Sequence, residues 1–172
     1  TGVTIEYLLQ KQDESGAVKK EWTPKIGYYD KPEAVRIRDD GRGYSLEHLL
    51  LLRSSKTEES VGQFGEGLKM LSTASLREKI PVKFRSRDWF AMPIAQHIVV
   101  DGETAERLAY KTVEGAENTN GATTTFYHPT HDLLEVFRSI GNYVLHFAGD
   151  VTELHKDSNG RIIQVRDRDK PA

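Results

Sequence analysis

Three glycines, Gly62, Gly65 and Gly67, lie within Val61-Gly62-Gln63-Phe64-Gly65-Glu66-Gly67-Leu68 and run straight into an apolar-periodic stretch, Leu68, Leu71 and Leu76. Glycine lets a backbone turn tightly and approach another molecule with no side chain in the way. A helix that opens where such a loop ends points its unpaired N–H groups and the positive end of its dipole at the loop, which makes a site for phosphate. About 20 residues upstream, Asp39-Asp40-Gly41-Arg42-Gly43 closes a strand-like run, Ala34 to Arg38. A carboxylate at a strand end, two glycines, then a second glycine loop opening a helix form the strongest chemical pattern in the chain.

The spacing excludes the commonest phosphate loops. A Walker loop ends in Gly-Lys-Ser/Thr, which Gly67-Leu68-Lys69 breaks. The dinucleotide and kinase spacings place their third glycine where Met70 stands.

The elements that must position these residues follow from periodicity and punctuation. Residues 3–10 satisfy both a helical and an alternating pattern, so strand and helix end both remain open there. Ser15-Gly16 reads as a turn, and residues 21–33, with Pro24, Gly27 and Pro32, as irregular or edge structure. Val35 and Ile37 alternate with Arg36 and Arg38, the pattern of a half-buried strand. Ser45 is placed to cap a short buried helix over 46–52, and 53–60 reads as a mobile loop. A helix then runs from the glycine loop to about Glu78, with Ser72, Thr73 and Ser75 on its flank. Pro81 ends it, and antiparallel strands follow around Val82 and Phe84, 94–100 and 108–112, with turns at Arg87-Asp88 and Asp101-Gly102. Residues 114–121 read as a surface loop and 122–127 as a strand. Thr130 caps a helix to Phe147 whose stripe is Leu133, Phe137, Ile140 and Val144, with Leu134 and Leu145 beside it. A hairpin over 151–166 turns at Ser158-Asn159-Gly160, and a charged tail ends the chain. With no repeat and no low-complexity linker, residues 1–172 read as one domain of α/β (α+β) class.

The bulk properties fit that reading. The 172 residues are 37% hydrophobic and 29% charged, as in ordinary globular proteins. A formal charge of −2 gives no general reason to expect nucleic acid or a membrane surface. The absence of cysteine excludes disulfides and thiolate metal sites and fits a reducing, cytoplasmic setting. No apolar run reaches membrane-spanning length, and the first residues do not read as a signal peptide. His128 and His131 have no third ligand at metal-binding spacing and read as solvated loop histidines, while Trp89-Phe90 reads as buried under the sheet.

Asp39-x-Gly41-x-Gly43 followed by Gly62-x-x-Gly65-x-Gly67-Leu68 resembles the second and third motifs of the GHKL superfamily, which comprises DNA gyrase subunits, large heat-shock chaperones, histidine kinases and MutL. Arg53-Ser54-Ser55-Lys56 looks most like the lid segment of the MORC and MutL branch. Gly121-Ala122-Thr123-Thr124-Thr125 is similar to the fourth motif, with alanine aligned where threonine is usual and Thr124 as its substitute. The resemblance implies a Bergerat ATP-binding fold: a two-layer sandwich with a mixed, mainly antiparallel sheet and helices on one face. It implies that Asp39 accepts a hydrogen bond from the adenine amino group and that Gly41 and Gly43 lie against the base. Gly62, Gln63, Phe64, Gly65, Glu66, Gly67 and Leu68 would form the phosphate loop, with Lys56 and Lys69 reaching the phosphates as point charges.

The family's first motif is a helix bearing a catalytic Glu and a magnesium-holding Asn upstream of the Asp39 strand. The asparagines here are Asn118, Asn120, Asn142 and Asn159, all downstream, and the catalytic residues remain unassigned. The expectation is an ATP-binding module of a larger GHKL ATPase, hydrolytically silent by itself, with Mg²⁺ bound only when the missing helix is supplied. Nucleotide would close the lid and drive homodimerisation, gating DNA or a protein partner of the parent chain. The rival is a scaffold domain that keeps the fold without turnover. A histidine-kinase phosphotransferase is disfavoured, because the lid reads otherwise and no His-bearing helix pair is recognisable before the domain.

Overall fold

The computed structural model describes residues 2–13, 15–50, 66–140, 151–156 and 162–166. Two compact units are present, Thr1–Pro129 and Thr130–Ala172.

The first unit is built on a seven-stranded sheet ordered β2-β1-β3-β7-β4-β5-β6. Its strands are β1 (Val3–Gln12), β2 (Val18–Thr23), β3 (Ala34–Asp39), β4 (Val82–Arg87), β5 (Trp89–Val100), β6 (Glu103–Val113) and β7 (Thr119–Tyr127). The expected sheet is mixed and mainly antiparallel; every pairing in this one is antiparallel. Residues 3–10, ambiguous by pattern, are strand, because β1 is flanked on both sides and its N–H and C=O groups close two ladders. The β1–β2 turn is set by Asp13, whose Oδ1 accepts from the N–H groups of Ser15 and Ala17, both at 3.0 Å. Asp101 and Gly102, at φ 52° and 83°, make the mirror-image turn that suits the twist of β5 and β6.

Residues opposite each other across strands share a face. The register therefore places Val35, Ile37 and Asp39 with Phe126, Thr124 and Ala122, and these with Val82, Phe84 and Ser86. That inner face is the core: Val35, Phe84 and Ala91 have no exposed surface, and Trp89 is 3% exposed. Of the pair Trp89-Phe90, expected to be buried, Trp89 is, whereas Phe90 alternates to the other face opposite Arg85 and is half-buried. Arg36, Arg38, Lys83, Arg85, Thr123 and Thr125 fall on the other face.

Among the described residues of this unit are two helices, α1 (Leu46–Leu50) and α2 (Gly67–Arg77). Ser45 precedes α1, but its hydroxyl pairs with His48 Nδ1 at 2.7 Å rather than with a backbone N–H. α2 begins at Gly67, as the loop-to-helix reading requires. Its buried side differs from expectation. Leu68, Leu71 and Leu76 are half-buried, whereas Ser72 and Ser75 are the fully buried positions. The small hydroxyls let the helix approach closely because each finds a carbonyl within the helix, Ser72 that of Leu68 and Ser75 that of Ser72. Tyr110 of β6 then donates to Ser72 Oγ at 3.0 Å and ties α2 to the inner face.

The second unit contains α3 (His131–Ser139) and a two-stranded sheet of β8 (Val151–Lys156) and β9 (Ile162–Arg166). Thr130 caps α3, its Oγ1 accepting from Leu133 N at 3.3 Å. Leu134 and Phe137 are the buried side chains of that helix. The β8–β9 pairing is the expected hairpin, its turn and the helix positions beyond Ile140 lying outside the described residues.

Candidate functional site

Asp39 ends β3 on the inner face, directly opposite Ala122 of β7. It is half-buried, and Oδ1 accepts from the Gly41 N–H at 2.8 Å. Oδ2 has no hydrogen-bond partner among the described residues. Asp40 faces elsewhere: its Oδ1 accepts from Gly2 N at 2.7 Å, which pins the loop to the first strand. Each of the two adjacent acids thus engages one carboxylate oxygen with a backbone N–H, Asp39 half-buried on the inner face and Asp40 exposed.

A buried knot holds the Asp39 loop. Ser86 has no exposed surface, and its Oγ donates to Gly121 O and accepts from Tyr44 N, both at 2.9 Å. Trp89 Nε1 donates to Tyr44 O at 2.9 Å, and the two rings meet edge-on at 5.2 Å. Gly43 sits at φ 65°, where a Cβ would come within 2.5 Å of Ser86 Oγ. Gly121 sits at φ 74°, where a Cβ would lie 1.8 Å from Asp39 O. Both glycines are required by close approach as well as by backbone sign.

Tyr44 adds the local electrostatics. Burial pushes its phenol well above the ordinary value, and the nearby Asp39 carboxylate and Tyr110 push it further. Burial also raises Tyr110, partly offset by its bond to Ser72. Burial thus favours the neutral form of both phenols, and for Tyr44 the Asp39 carboxylate adds to it.

Of the residues singled out by sequence, Asp39, Gly41, Gly43 and Thr124 come together. Thr124 lies on the face of Asp39, one row away, opposite Ile37 and Phe84. Glu66 and Gly67 form the start of α2, exposed and with open space around Gly67. Leu68 is half-buried, and its carbonyl receives Ser72. Lys69 reaches back to the last turn of α1, donating to Leu50 O at 3.2 Å. Lys56, Gly62, Gln63, Phe64 and Gly65 lie outside the described residues.

Sequence reasoning missed Ser86, Tyr44 and Tyr110. Ser86 carried a signal: Val82, Phe84 and Ser86 alternate inward, so a small hydroxyl occupies a position where the pattern calls for an apolar group. Among the described residues no cluster of three His, Asp or Glu side chains could hold a metal ion, and no helix is long and apolar enough to cross a membrane. A scan of the chain against protein-family models gives no match, and a search of curated proteins gives none.

Proposed function

We propose that this chain is an adenine-nucleotide-binding module of the GHKL type, with the nucleotide held between the inner face of the sheet and α2. The observation that carries the reading is the half-engaged carboxylate of Asp39, fixed at a strand end by the Gly43–Ser86–Gly121 knot. Its spare oxygen is a rigid acceptor suited to the exocyclic amino group of adenine, while guanine presents a carbonyl at that position. The N-terminus of α2, opening at Gly67, supports the phosphate end of the same reading.

What supports the Bergerat reading is an antiparallel sheet whose β3 and β7 lie side by side, with an acid at the tip of one and a glycine near the start of the other. The residues assigned here bind; none activates water. On this reading the chain binds nucleotide, and turnover, Mg²⁺ coordination and nucleotide-driven homodimerisation would call for the family's first motif.

Calorimetric titration of the 172-residue chain with ATP, ADP and GTP tests the reading. ATP and ADP bind and GTP does not; Asp39→Asn weakens ATP about 10- to 100-fold, the loss expected when a charged hydrogen bond is removed. No heat and no thermal shift with any nucleotide would overturn it in favour of the scaffold reading.

A further inference from the structure

The face of the sheet turned away from Asp39 carries a regular lattice of charge. One row across three strands reads Arg38, Thr123, Arg85, and the next reads Arg36, Thr125, Lys83. Each threonine of β7 is flanked by a cation on either side. Phe90 stands opposite Arg85, and Lys111 lies farther out on the same face, paired with Met92. Arg38 and Lys111 are exposed. The carboxylate within the lattice, Glu6, is taken by Arg36 at 2.7 Å, and Glu114 and Glu117 lie on the loop that adjoins it.

Three features show that Arg85 and Lys83 are short of anions, while Arg36 keeps Glu6. Arg85 donates from Nη2 to Glu117 O at 2.9 Å, yet its Nε is buried with no acceptor among the described residues. Partial burial, and then the charge of Arg85, lower the pKa of Lys83. Lys83 and Arg36 have turned onto ring faces, Lys83 Nζ 4.0 Å above Phe90 and the Arg36 guanidinium 4.1 Å above Trp22. The chain's net charge of −2 conceals this concentration, since binding responds to the local field.

We propose that this outer face binds single-stranded nucleic acid, with phosphates on the cations of the Arg38–Thr123–Arg85 and Arg36–Thr125–Lys83 rows, Thr125 itself being buried beneath them. The spacing suits a repeating anion: cations on either side of β7 are two strand widths apart, about 9.5 Å, and successive rows are about 7 Å apart. The rings of Trp22 and Phe90 at the margins accept bases once their cations swing to phosphate, the combination that open sheets use for unpaired strands. A duplex presents its bases inward and leaves those rings unused.

The test is fluorescence anisotropy of a labelled dT oligomer titrated with the 172-residue chain over a range of salt. Binding is expected at low salt, with a log–log salt slope of about −3 for four phosphate contacts. The double variant Arg38→Ala with Lys83→Gln should weaken binding at least tenfold and shrink the slope by about one to two. Circular dichroism checks that its fold is kept, and Lys25→Ala, outside the lattice, leaves binding unchanged. Asp39→Asn also leaves it unchanged, which separates this surface from the nucleotide site. No binding at low salt, equal binding by the double variant, equal competition by an unlabelled duplex, or loss in Asp39→Asn would each overturn the proposal.

Discussion

The carbonyl oxygen of Asp39 occupies the place where a side chain on Gly121 would begin, 1.8 Å from an ideal Cβ. The acid that the sequence singles out and the glycine that opens the central strand are therefore one contact. Gly121→Ala is expected to cost about 3 kcal/mol, from a left-handed backbone plus a backbone overlap that no rotamer relieves. Gly102→Ala is the control: its φ is 83°, but nothing lies within 4 Å. It should cost only about 1 kcal/mol. Urea unfolding of the two variants separates strain from collision.

Ser86 should behave as a positioning residue for Asp39. Ser86→Ala leaves Tyr44 N–H and Gly121 C=O unpaired in a buried place, a cost of about 1–3 kcal/mol in stability. If the knot aims the carboxylate, the same variant narrows the preference for ATP over GTP while changing the affinity for inorganic triphosphate little. Trp89→Phe keeps most of the ring and loses the bond to Tyr44 O, so a smaller fall in both quantities is expected. Competition titrations with the three ligands read the ratio directly.

The two halves of the site differ in how far the sequence revealed them. Asp39, Gly41 and Gly43 were readable because a strand pattern ends in an acid and only glycine serves the bend that follows. β3 itself was readable from its alternation. β1 was not, because Val3, Ile5, Tyr7 and Leu9 alternate while Ile5, Leu8 and Leu9 also fit a helix, and only its two neighbours decide. The buried side of α2 was misjudged for another reason. Periodicity counts leucines, but close packing on the sheet selected Ser72 and Ser75, whose hydroxyls are satisfied within the helix and so enter the core without penalty. Ser86 was hidden because its partners, Tyr44 and Gly121, are 42 and 35 residues away in sequence.

Asp40 provides a contrast with its neighbour. Its carboxylate holds Gly2 N, an exposed contact remote from the inner face. Asp40→Asn should leave ATP affinity within about twofold and change stability by no more than about 0.5 kcal/mol, as for other exposed polar contacts. A large loss of ATP binding in Asp40→Asn with none in Asp39→Asn would reverse the assignment of the two acids. Calorimetry on both variants decides.

Tyr44 predicts how the unit responds to alkali. Its phenol is raised by burial first and by Asp39 second, whereas in the unfolded chain it titrates near its ordinary value of 10.0. Between the unfolded and folded values the unfolded state has lost a proton that the folded state retains. Stability is therefore fully present below about pH 10 and falls as pH rises beyond it, by up to about 1.4 kcal/mol per pH unit. Tyr110, raised in the same direction, adds to the slope. Tyr44→Phe keeps the edge-on contact with Trp89 and removes the ionisable group. It should flatten the fall in urea midpoint between pH 9.5 and 11, to the extent that Tyr110 does not contribute. An unchanged slope in Tyr44→Phe would show that the phenol is not held neutral by its buried place beside Asp39.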